Sequence, residues 1–469
     1  MISAFARQCN NREALATAGA SVVSRAGRGL VALSLASMLA LGAPAAAFAE
    51  VLDTDVVAGK TVADRGLSVD ECPDVTAAHV ILVGSDGTVY FSRDADAEVK
   101  IASITKIMTA VVALENAPLD LTVTVDSEAA TVGESSAGLL EGDSMDLKTA
   151  LYALLVPSGN DAGIAIAKSV GAYMTGDAST GYDAFIAAMN AKAADLGMTE
   201  SLYTNPHGLD FGSFASEDLH SSAKDVATLV AYAMQNDTFR GIVDAGDTSI
   251  VVTSADGAQR NVALATTDEL MGVYDGICGV KTGTTDDAGY CFAAAVNRPQ
   301  GEFYSVVLNS PSSDERFSDT VTLMDWAYSN LSQRSLVNTD QSVEYNGAAA
   351  PLVAKVAHNG WVDTTVNATV ADPDLTAEVF DAAGPVEGAM NLDELSGDVH
   401  AGDVIGTLTF AQDGETIAQT NVIAAEDVAA PNFFEKIGVG LDRWIRGLQG
   451  QQTVAQTVDC MLAQPISDR

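Results

Sequence analysis

Strand-like segments in this sequence fall into two groups far apart along the chain, and that separation restricts the fold more than any other feature. Ala77–Val83 and Val89–Phe91 read as strands joined by the turn Ser85-Asp86-Gly87. Ile101 to Glu115 is a long apolar helical stretch, and from about residue 120 to 265 the pattern is mainly helical. Leu147–Leu155 carries an apolar face and stops at Pro157 and Gly159. Tyr182–Leu196 places Phe185, Ile186, Met189 and Ala193 on one side, and Ala223–Met234 is a third helix. Strand signals return at Gly276–Lys281, Tyr290–Val296 and Phe303–Leu308, with Asp286–Gly289 and Pro299–Gly301 as turns. A helix over Asp319–Leu331 follows, with Leu323, Trp326 and Ala327 inward. Short turns make the three late strands antiparallel neighbours. Joining both groups predicts one five-stranded antiparallel sheet, an α+β fold with a helical subdomain beside it.

Beyond residue 335 helical runs give way to short Val- and Thr-rich segments between Gly, Asn and Asp, such as Asp363–Val370, Val404–Phe410 and Thr416–Ile423. This is the pattern of a small all-β domain. Then Phe433, Phe434, Ile437, Leu441, Trp444, Ile445 and Leu448 share one face at helical spacing. Glu435, Lys436, Asp442, Arg443 and Arg446 lie opposite. Such a helix either lies in a membrane surface or packs on the β domain. Gly438, Gly440 and Gly447 weaken it in isolation.

The 469 residues are 48% hydrophobic, enough for two or three domains and too apolar for a disordered chain. A formal charge of −39 offers no basic surface for phosphates, so no nucleic-acid partner is expected. The first 49 residues differ from the rest. Arg7, Arg12, Arg25 and Arg28 precede an apolar run, Gly29–Leu41, and an Ala-rich end, which together read as a secretory signal cleaved after Ala49. The run is too short to span a bilayer stably. The sequence thus divides into a signal peptide (1–49), an irregular lead-in (50–75), a first domain (76–333), a β domain (334–430), an amphipathic helix (431–449) and a polar tail (450–469). Secretion permits disulfides among Cys72, Cys278, Cys291 and Cys460. Cys278 and Cys291 flank a hairpin, either bridged across it or buried as separate thiols. The His and Cys spacings match no zinc motif.

Three short motifs carry the chemistry. Ser103-Ile104-Thr105-Lys106 opens the apolar helix, and residues three apart share a helix face, so the amine reaches the hydroxyl. A serine hydroxyl becomes a nucleophile once a base accepts its proton. Ser158-Gly159-Asn160 follows the helix that stops at Pro157. Lys281-Thr282-Gly283-Thr284 ends a strand, where a Lys beside Thr and Gly suits a carboxylate and Gly admits close backbone approach. Each motif alone is common; the ordered set is far more specific.

With Ser-Gly-Asn in the middle, the set resembles the low-molecular-mass D-alanyl-D-alanine carboxypeptidases, penicillin-binding proteins of serine peptidase family S11. Lys100–Thr109, Asn205–Asp210, Ser221–Asp225 and Ala288-Gly289-Tyr290 fit the same family. The resemblance covers roughly residues 75–330, and extends loosely to a β-domain stalk and a membrane-anchoring helix. It implies the penicillin-binding/β-lactamase-like serine transpeptidase fold. It also implies that the chain removes the terminal D-Ala from peptidoglycan stem peptides ending in D-Ala-D-Ala, without metal or cofactor. β-Lactams would be covalent inhibitors. On the matching positions, Ser103 would be acylated and Lys106, kept neutral by burial and by the Lys281 charge, would be the general base. Ser158 would relay a proton to the departing amine. Asn160 would orient Lys106 and substrate. Lys281 and Thr282 would bind the terminal carboxylate, supported by Arg316, with Gly283 between them and Thr284. The backbone N–H groups of Ser103 and Thr284 would form the oxyanion hole. His207 and His220 are assigned structural roles. The enzyme would sit outside the cytoplasmic membrane, held peripherally on its outer face. Other readings are a β-lactamase, a D,D-endopeptidase or transpeptidase, and a wall-binding scaffold without activity. The Glu-x-x-Leu-Asn segment of class A β-lactamases does not occur between the second and third motifs.

Overall fold

The computed structural model describes residues 51–463, so the signal read from residues 1–49 lies outside the described residues. A hairpin of β1 (Val56–Val57) and β2 (Lys60–Thr61) leads through α1 (Val62–Arg65) to β3 (His79–Gly84) and β4 (Val89–Arg93). A 3-10 turn, Ala102–Thr105, opens α2 (Lys106–Asn116). Next come β5 (Thr122–Thr124), α3 (Ser127–Thr131), β6 (Ser144–Asp146), α4 (Leu147–Leu155), α5 (Asn160–Thr175), α6 (Ala178–Asp195), α7 (Ala223–Ala233) and α8 (Asp237–Val243). Strands β7 (Thr248–Thr253) and β8 (Gln259–Leu264) precede β9 (Ile277–Thr285), β10 (Gly289–Arg298) and β11 (Gly301–Ser310), and α9 (Ser313–Asn330) closes this half.

The main sheet has the order β2-β1-β4-β3-β11-β10-β9, every pair antiparallel. The five expected strands are contiguous within it, and β1–β2 extends the β4 edge. The lead-in is therefore not irregular: Val56 pairs with Ser92 and Val57 with Phe91. Two-residue strands are too short for alternation to register in sequence. Both sheet faces are covered. Ile81, Val83, Ala293, Ala295, Val306 and Leu308 join the core beneath the helical block. Val80, Leu82, Phe292, Ala294, Val296 and Val307 pack with Leu323, Met324 and Ala327 of α9. Double burial explains why these strands read as continuous apolar runs.

The stretch from 120 to 265 also contains a four-stranded sheet, β5-β6-β7-β8, which a mainly helical reading omits. In β7 only Ile250 and Val252 are buried, between exposed or half-buried Thr, Ser and Val, so its apolar signal is thin. The cysteines do not pair: Cys72, Cys278, Cys291 and Cys460 are free thiols. Register is the reason, since Cys291 sits opposite Gly283 while the Cys278 thiol donates to Ala295 O at 3.4 Å.

The β domain contains β12 (Leu331–Ser335), β13 (Ser342–Tyr345), β14 (Ala348–Pro351), β15 (Ala354–Ala357), β16 (Thr365–Val370), β17 (Thr376–Phe380), β18 (Val386–Leu392), β19 (Val404–Gln412) and β20 (Glu415–Ala424), followed by α10 (Phe433–Leu448) and β21 (Val458–Asp459). Its six-stranded sheet runs β18-β19-β20-β16-β15-β21. The C-terminal segment is thus more than a polar tail: Val458 and Asp459 pair with Lys355 and Ala354, and Cys460 N donates to Val353 O at 2.9 Å. Arg65 ties the halves together through Ala383 O (2.9 Å) and Asp413 (2.7 Å). Tyr90 and Trp326 meet Phe380 edge-on at 4.6 and 5.3 Å.

Helix α10 begins with a capping box between Asn432 and Glu435. Its polar face is fastened to the β domain. Arg443 donates to Asn359 O (2.7 Å) and Trp361 O (2.8 Å), and Arg446 makes a two-pronged pair with Asp363 at 2.8 and 2.5 Å. The apolar face points away, with Phe434 81% and Phe433 72% exposed. Among the described residues no helix is long and apolar enough to cross a membrane.

Candidate active site

The nucleophile turn is built by burial on either side of one residue. Ile101, Ala102, Ile104 and Thr105 are buried, whereas Ser103 is half-exposed at the cleft. Ala102 has φ +47°, a left-handed conformation costly for a residue with a Cβ. Lys106, the first residue of α2, has no exposed surface.

Lys106 Nζ lies 2.7 Å from Ser103 Oγ, 2.7 Å from Asn160 Oδ1 and 3.1 Å from His207 O. The last two oxygens only accept hydrogen bonds, so each takes an N–H from the amine. A neutral amine has two N–H groups and one lone pair. The lone pair is then left facing the Ser103 hydroxyl, the geometry for removing its proton. Burial drives the Lys106 pKa well below the usual lysine value, and the Lys281 charge lowers it further, against the opposing pull of Asp161.

Asn160 opens α5, and its orientation is fixed because Nδ2 donates to Gly133 O at 3.1 Å. Beside it, the Asp161 carboxylate accepts from Ser136 Oγ (2.6 Å), Ala137 N (3.0 Å) and Leu139 N (3.1 Å), wrapping residues 136–139 onto the helix start. Ser158, 4% exposed, sits in the link between α4 and α5 with φ +64°. Such a conformation costs a non-glycine residue about 1–3 kcal/mol.

Strand β9 supplies the third motif. Lys281 is buried and donates to Thr282 O at 2.9 Å. Burial, then the Arg316 charge, pull its pKa down to about 7, with Asp268 opposing. A Cβ at Gly283 would stand 2.8 Å from Ile101 O and 3.1 Å from Ser103 N, so only glycine lets β9 run this close to the nucleophile turn. Arg316, in the first turns of α9, donates to Thr284 Oγ1 (3.0 Å) and Gly283 O (3.3 Å), and its guanidinium stacks 4.7 Å from the Phe317 ring. The structure therefore brings Ser103, Lys106 and Asn160 into direct contact and draws Gly283, Thr284 and Arg316 beside them. A cleft of about 610 Å³ is lined by Ser103, Asn160 and Thr284, with Glu134, Asp210 and Asp286 on its walls.

Sequence reasoning missed the part played by the His207 carbonyl. Asn205 Oδ1 accepts from His207 N (3.2 Å) and Gly208 N (2.7 Å), folding Asn205–Leu209 into a tight loop. Gly208 has φ +88°, and a Cβ there would collide with Ala102 O at 1.8 Å. The loop thus presses on the nucleophile turn and aims a backbone oxygen at Lys106. Its Asn-Pro-His-Gly composition was the available signal. The His207 ring is held neutral, its pKa pushed to about 3 by burial and then by Lys106.

A serine and a buried, depressed-pKa lysine in direct contact, in a cleft edged by a second lysine strand, define the serine acyl-transfer class in which lysine replaces histidine as base. Comparison with known proteins narrows this. The family model described as D-alanyl-D-alanine carboxypeptidase, peptidase family S11, matches residues 67–312, and the chain belongs to that family. It is 26% identical over 390 residues to the D-alanyl-D-alanine carboxypeptidase DacF of Bacillus subtilis (strain 168), covering 81% of this chain and 93% of that protein. With DacB2 of Mycobacterium tuberculosis identity is 32% over 270 residues, covering 56% of this chain and 86% of the relative. The crystal structure of the Streptomyces K15 DD-transpeptidase superposes with a TM-score of 0.52 at 29% identity, covering 55% of this chain and 98% of that one. DacD of Francisella tularensis, at 22% identity, shares the fold with a TM-score of 0.52 over 76% of this chain and 94% of its own.

Proposed function

We propose that this serine D-alanyl-D-alanine carboxypeptidase removes the terminal D-Ala from peptidoglycan stem peptides through an acyl-enzyme on Ser103. The observation that carries the assignment of the site is the three-way contact of Lys106 Nζ. The substrate backbone pairs along β9, an edge strand of the main sheet. Its terminal carboxylate meets Lys281, Thr282 and Arg316. Lys106 takes the Ser103 proton as Oγ attacks the penultimate D-Ala carbonyl. The N–H groups of Ser103 and Thr284 stabilise the resulting oxyanion. Ser158 passes a proton to the leaving D-Ala amine, and water, activated by the same lysine, then cleaves the ester. Penicillins acylate Ser103 by the same attack.

The test is release of D-Ala from a pentapeptide ending in D-Ala-D-Ala, with mass spectrometry of the penicillin-treated protein. A penicilloyl adduct on Ser103, lost in Ser103→Ala together with D-Ala release, is expected; labelling that survives in Ser103→Ala overturns the assignment. Transfer of the acyl group to an added amine is the second outcome of the same intermediate, motivated by the transpeptidase name of the Streptomyces K15 relative. Rapid penicilloate turnover in place of a lasting adduct would make the chain a β-lactamase.

We further assign the catalytic domain to residues 76–333, its sheet extended by β1–β2 of the lead-in, the β domain to 334–430, entered through β12 and completed by β21, and the lipid-facing helix to 431–449. Export by the segment 1–49 would place the enzyme outside the cytoplasmic membrane. The outward apolar face of α10 supports its lying in the membrane surface.

A further inference from the structure

The cleft at Ser103 extends beyond the groups that the mechanism above uses. Its volume of about 610 Å³ lies in the range that encloses a drug-sized ligand. The charges on its walls are of one sign. Glu134, Asp210, Asp286 and Asp287 line it, and among the described residues no basic side chain does. Arg316 stops short of this wall, at Thr284 Oγ1 (3.0 Å).

Asp210 differs from the other three acids. It is 6% exposed, and its Oδ2 accepts from Thr285 Oγ1 at 2.7 Å. Its Oδ1 has no hydrogen-bond partner among the described residues. A carboxylate oxygen drawn out of water is costly without a donor, and a cationic donor on a ligand offsets that cost best. The next residue, Phe211, lines the same wall with 44% of its surface exposed. The loop that carries both is held at three points. His207 O accepts from Lys106 Nζ (3.1 Å), the Phe214 ring meets the His207 ring edge-on at 4.6 Å, and Lys100 Nζ donates to Ser216 O (2.6 Å) and Leu219 O (2.8 Å). The wall is therefore in place before substrate arrives.

Strand β9 sets which part of a substrate reaches it. A peptide paired on an edge strand advances about 3.3 Å per residue. With the terminal carboxylate at Lys281 and Thr282 and the scissile carbonyl at Thr284, the residue before D-Ala-D-Ala comes level with Thr285 and Asp286. Thr285 is the residue bonded to Asp210.

We propose that the Asp210 end of the cleft is a subsite for an alkylammonium side chain on the residue before D-Ala-D-Ala, so that the preferred substrates are stem peptides with a free aliphatic amine at that position. Phe211 covers the methylene arm, and Asp210 Oδ1 accepts from the ammonium. Glu134, Asp286 and Asp287 add attraction at longer range. The inference rests on the reading of Ser103 as the acylated residue and of β9 as the strand that pairs the substrate.

The experiment measures D-Ala release from Nα-acetyl-Lys-D-Ala-D-Ala and from its Nε-acetylated form, which keeps the arm and lacks the charge. Wild-type enzyme should favour the free amine by about tenfold in kcat/KM, and added salt should reduce that preference. In Asp210→Asn the ratio should fall to near one. The ratio is taken within each variant, so a general loss of activity cancels, and the amide still offers Thr285 an acceptor. If that variant does not fold, Asp286→Asn with Asp287→Asn, in the exposed turn after β9, should lower the ratio roughly twofold. Equal kcat/KM for the two peptides in wild type, or a ratio that survives these substitutions, overturns the proposal. Failure of both peptides to release D-Ala, with no penicilloyl adduct on Ser103, instead overturns the reading on which it rests.

Discussion

Gly283 faces the backbone of Ser103 so closely that a Cβ on it would stand 3.1 Å from Ser103 N and 2.8 Å from Ile101 O. These are backbone atoms with no rotamer to yield, so Gly283→Ala must displace either β9 or the nucleophile turn. Overpacking of this kind costs about 1–3 kcal/mol. The melting temperature should drop modestly, and penicillin acylation should fall by more than tenfold, because the oxyanion donors of Ser103 and Thr284 separate. Near-normal acylation with a lowered melting temperature would show that the glycine serves packing alone.

Asn160 offers Lys106 a neutral oxygen at 2.7 Å. Asn160→Asp puts an anion there with little change in shape. A nearby opposite charge favours the ammonium, raising the Lys106 pKa from its depressed value. The base then stays protonated to higher pH, and the acidic limb of the acylation profile should shift upward by a unit or more. Stopped-flow acylation by a fluorescent penicillin across pH 5–10 measures this, and an unmoved limb would remove Lys106 from the role of base.

Lys281, pulled down to about 7 by burial and then by Arg316, links stability to pH. Between that value and the ordinary lysine value of 10.5, the unfolded chain holds a proton there that the folded chain has lost. Unfolding free energy therefore rises with pH through this window, by at most about 1.4 kcal/mol per unit for one site. Lys281→Gln lacks this dependence. The difference in urea stability, wild type minus variant, should grow from pH 7 to pH 10; a constant difference would mean that Lys281 stays charged in the fold.

The cations of α10 are unequally available to lipid. Arg443 and Arg446 are engaged by Asn359, Trp361 and Asp363, leaving Lys436 exposed. Binding to vesicles should therefore follow apolar area and depend weakly on anionic lipid. Phe433→Ser with Phe434→Ser should cut vesicle binding at least tenfold and leave D-Ala release intact. Removing everything after residue 431 is a poorer test, because β21 and Cys460 complete the edge of the β domain.

Much of the site was legible because local geometry dictates it. Residues three apart on a helix start touch whatever the rest of the chain does, so Ser103 and Lys106 were paired by spacing alone. The same holds for the face of α10, whose period is written in the side chains. The place of β3, β4, β9, β10 and β11 was also readable, since β-branched and aromatic runs between turns admit few alternatives, whereas the short β1–β2 and the thinly apolar β5–β8 sheet were not. What local pattern could not state was register and long-range company. Register decides that Cys291 faces Gly283, five residues along β9 from Cys278. The direction in which α10 turns its apolar side was set by two arginines reaching a loop some eighty residues earlier. The backbone oxygen of His207 that holds Lys106 came from a loop 101 residues further on, where no local pattern tied it to the nucleophile turn. Sequence by itself determined which groups can do the chemistry and how each segment folds. The tertiary structure decided which carbonyl and which glycine stand next to them, because desolvation and close packing act through space across segments that no local pattern connects.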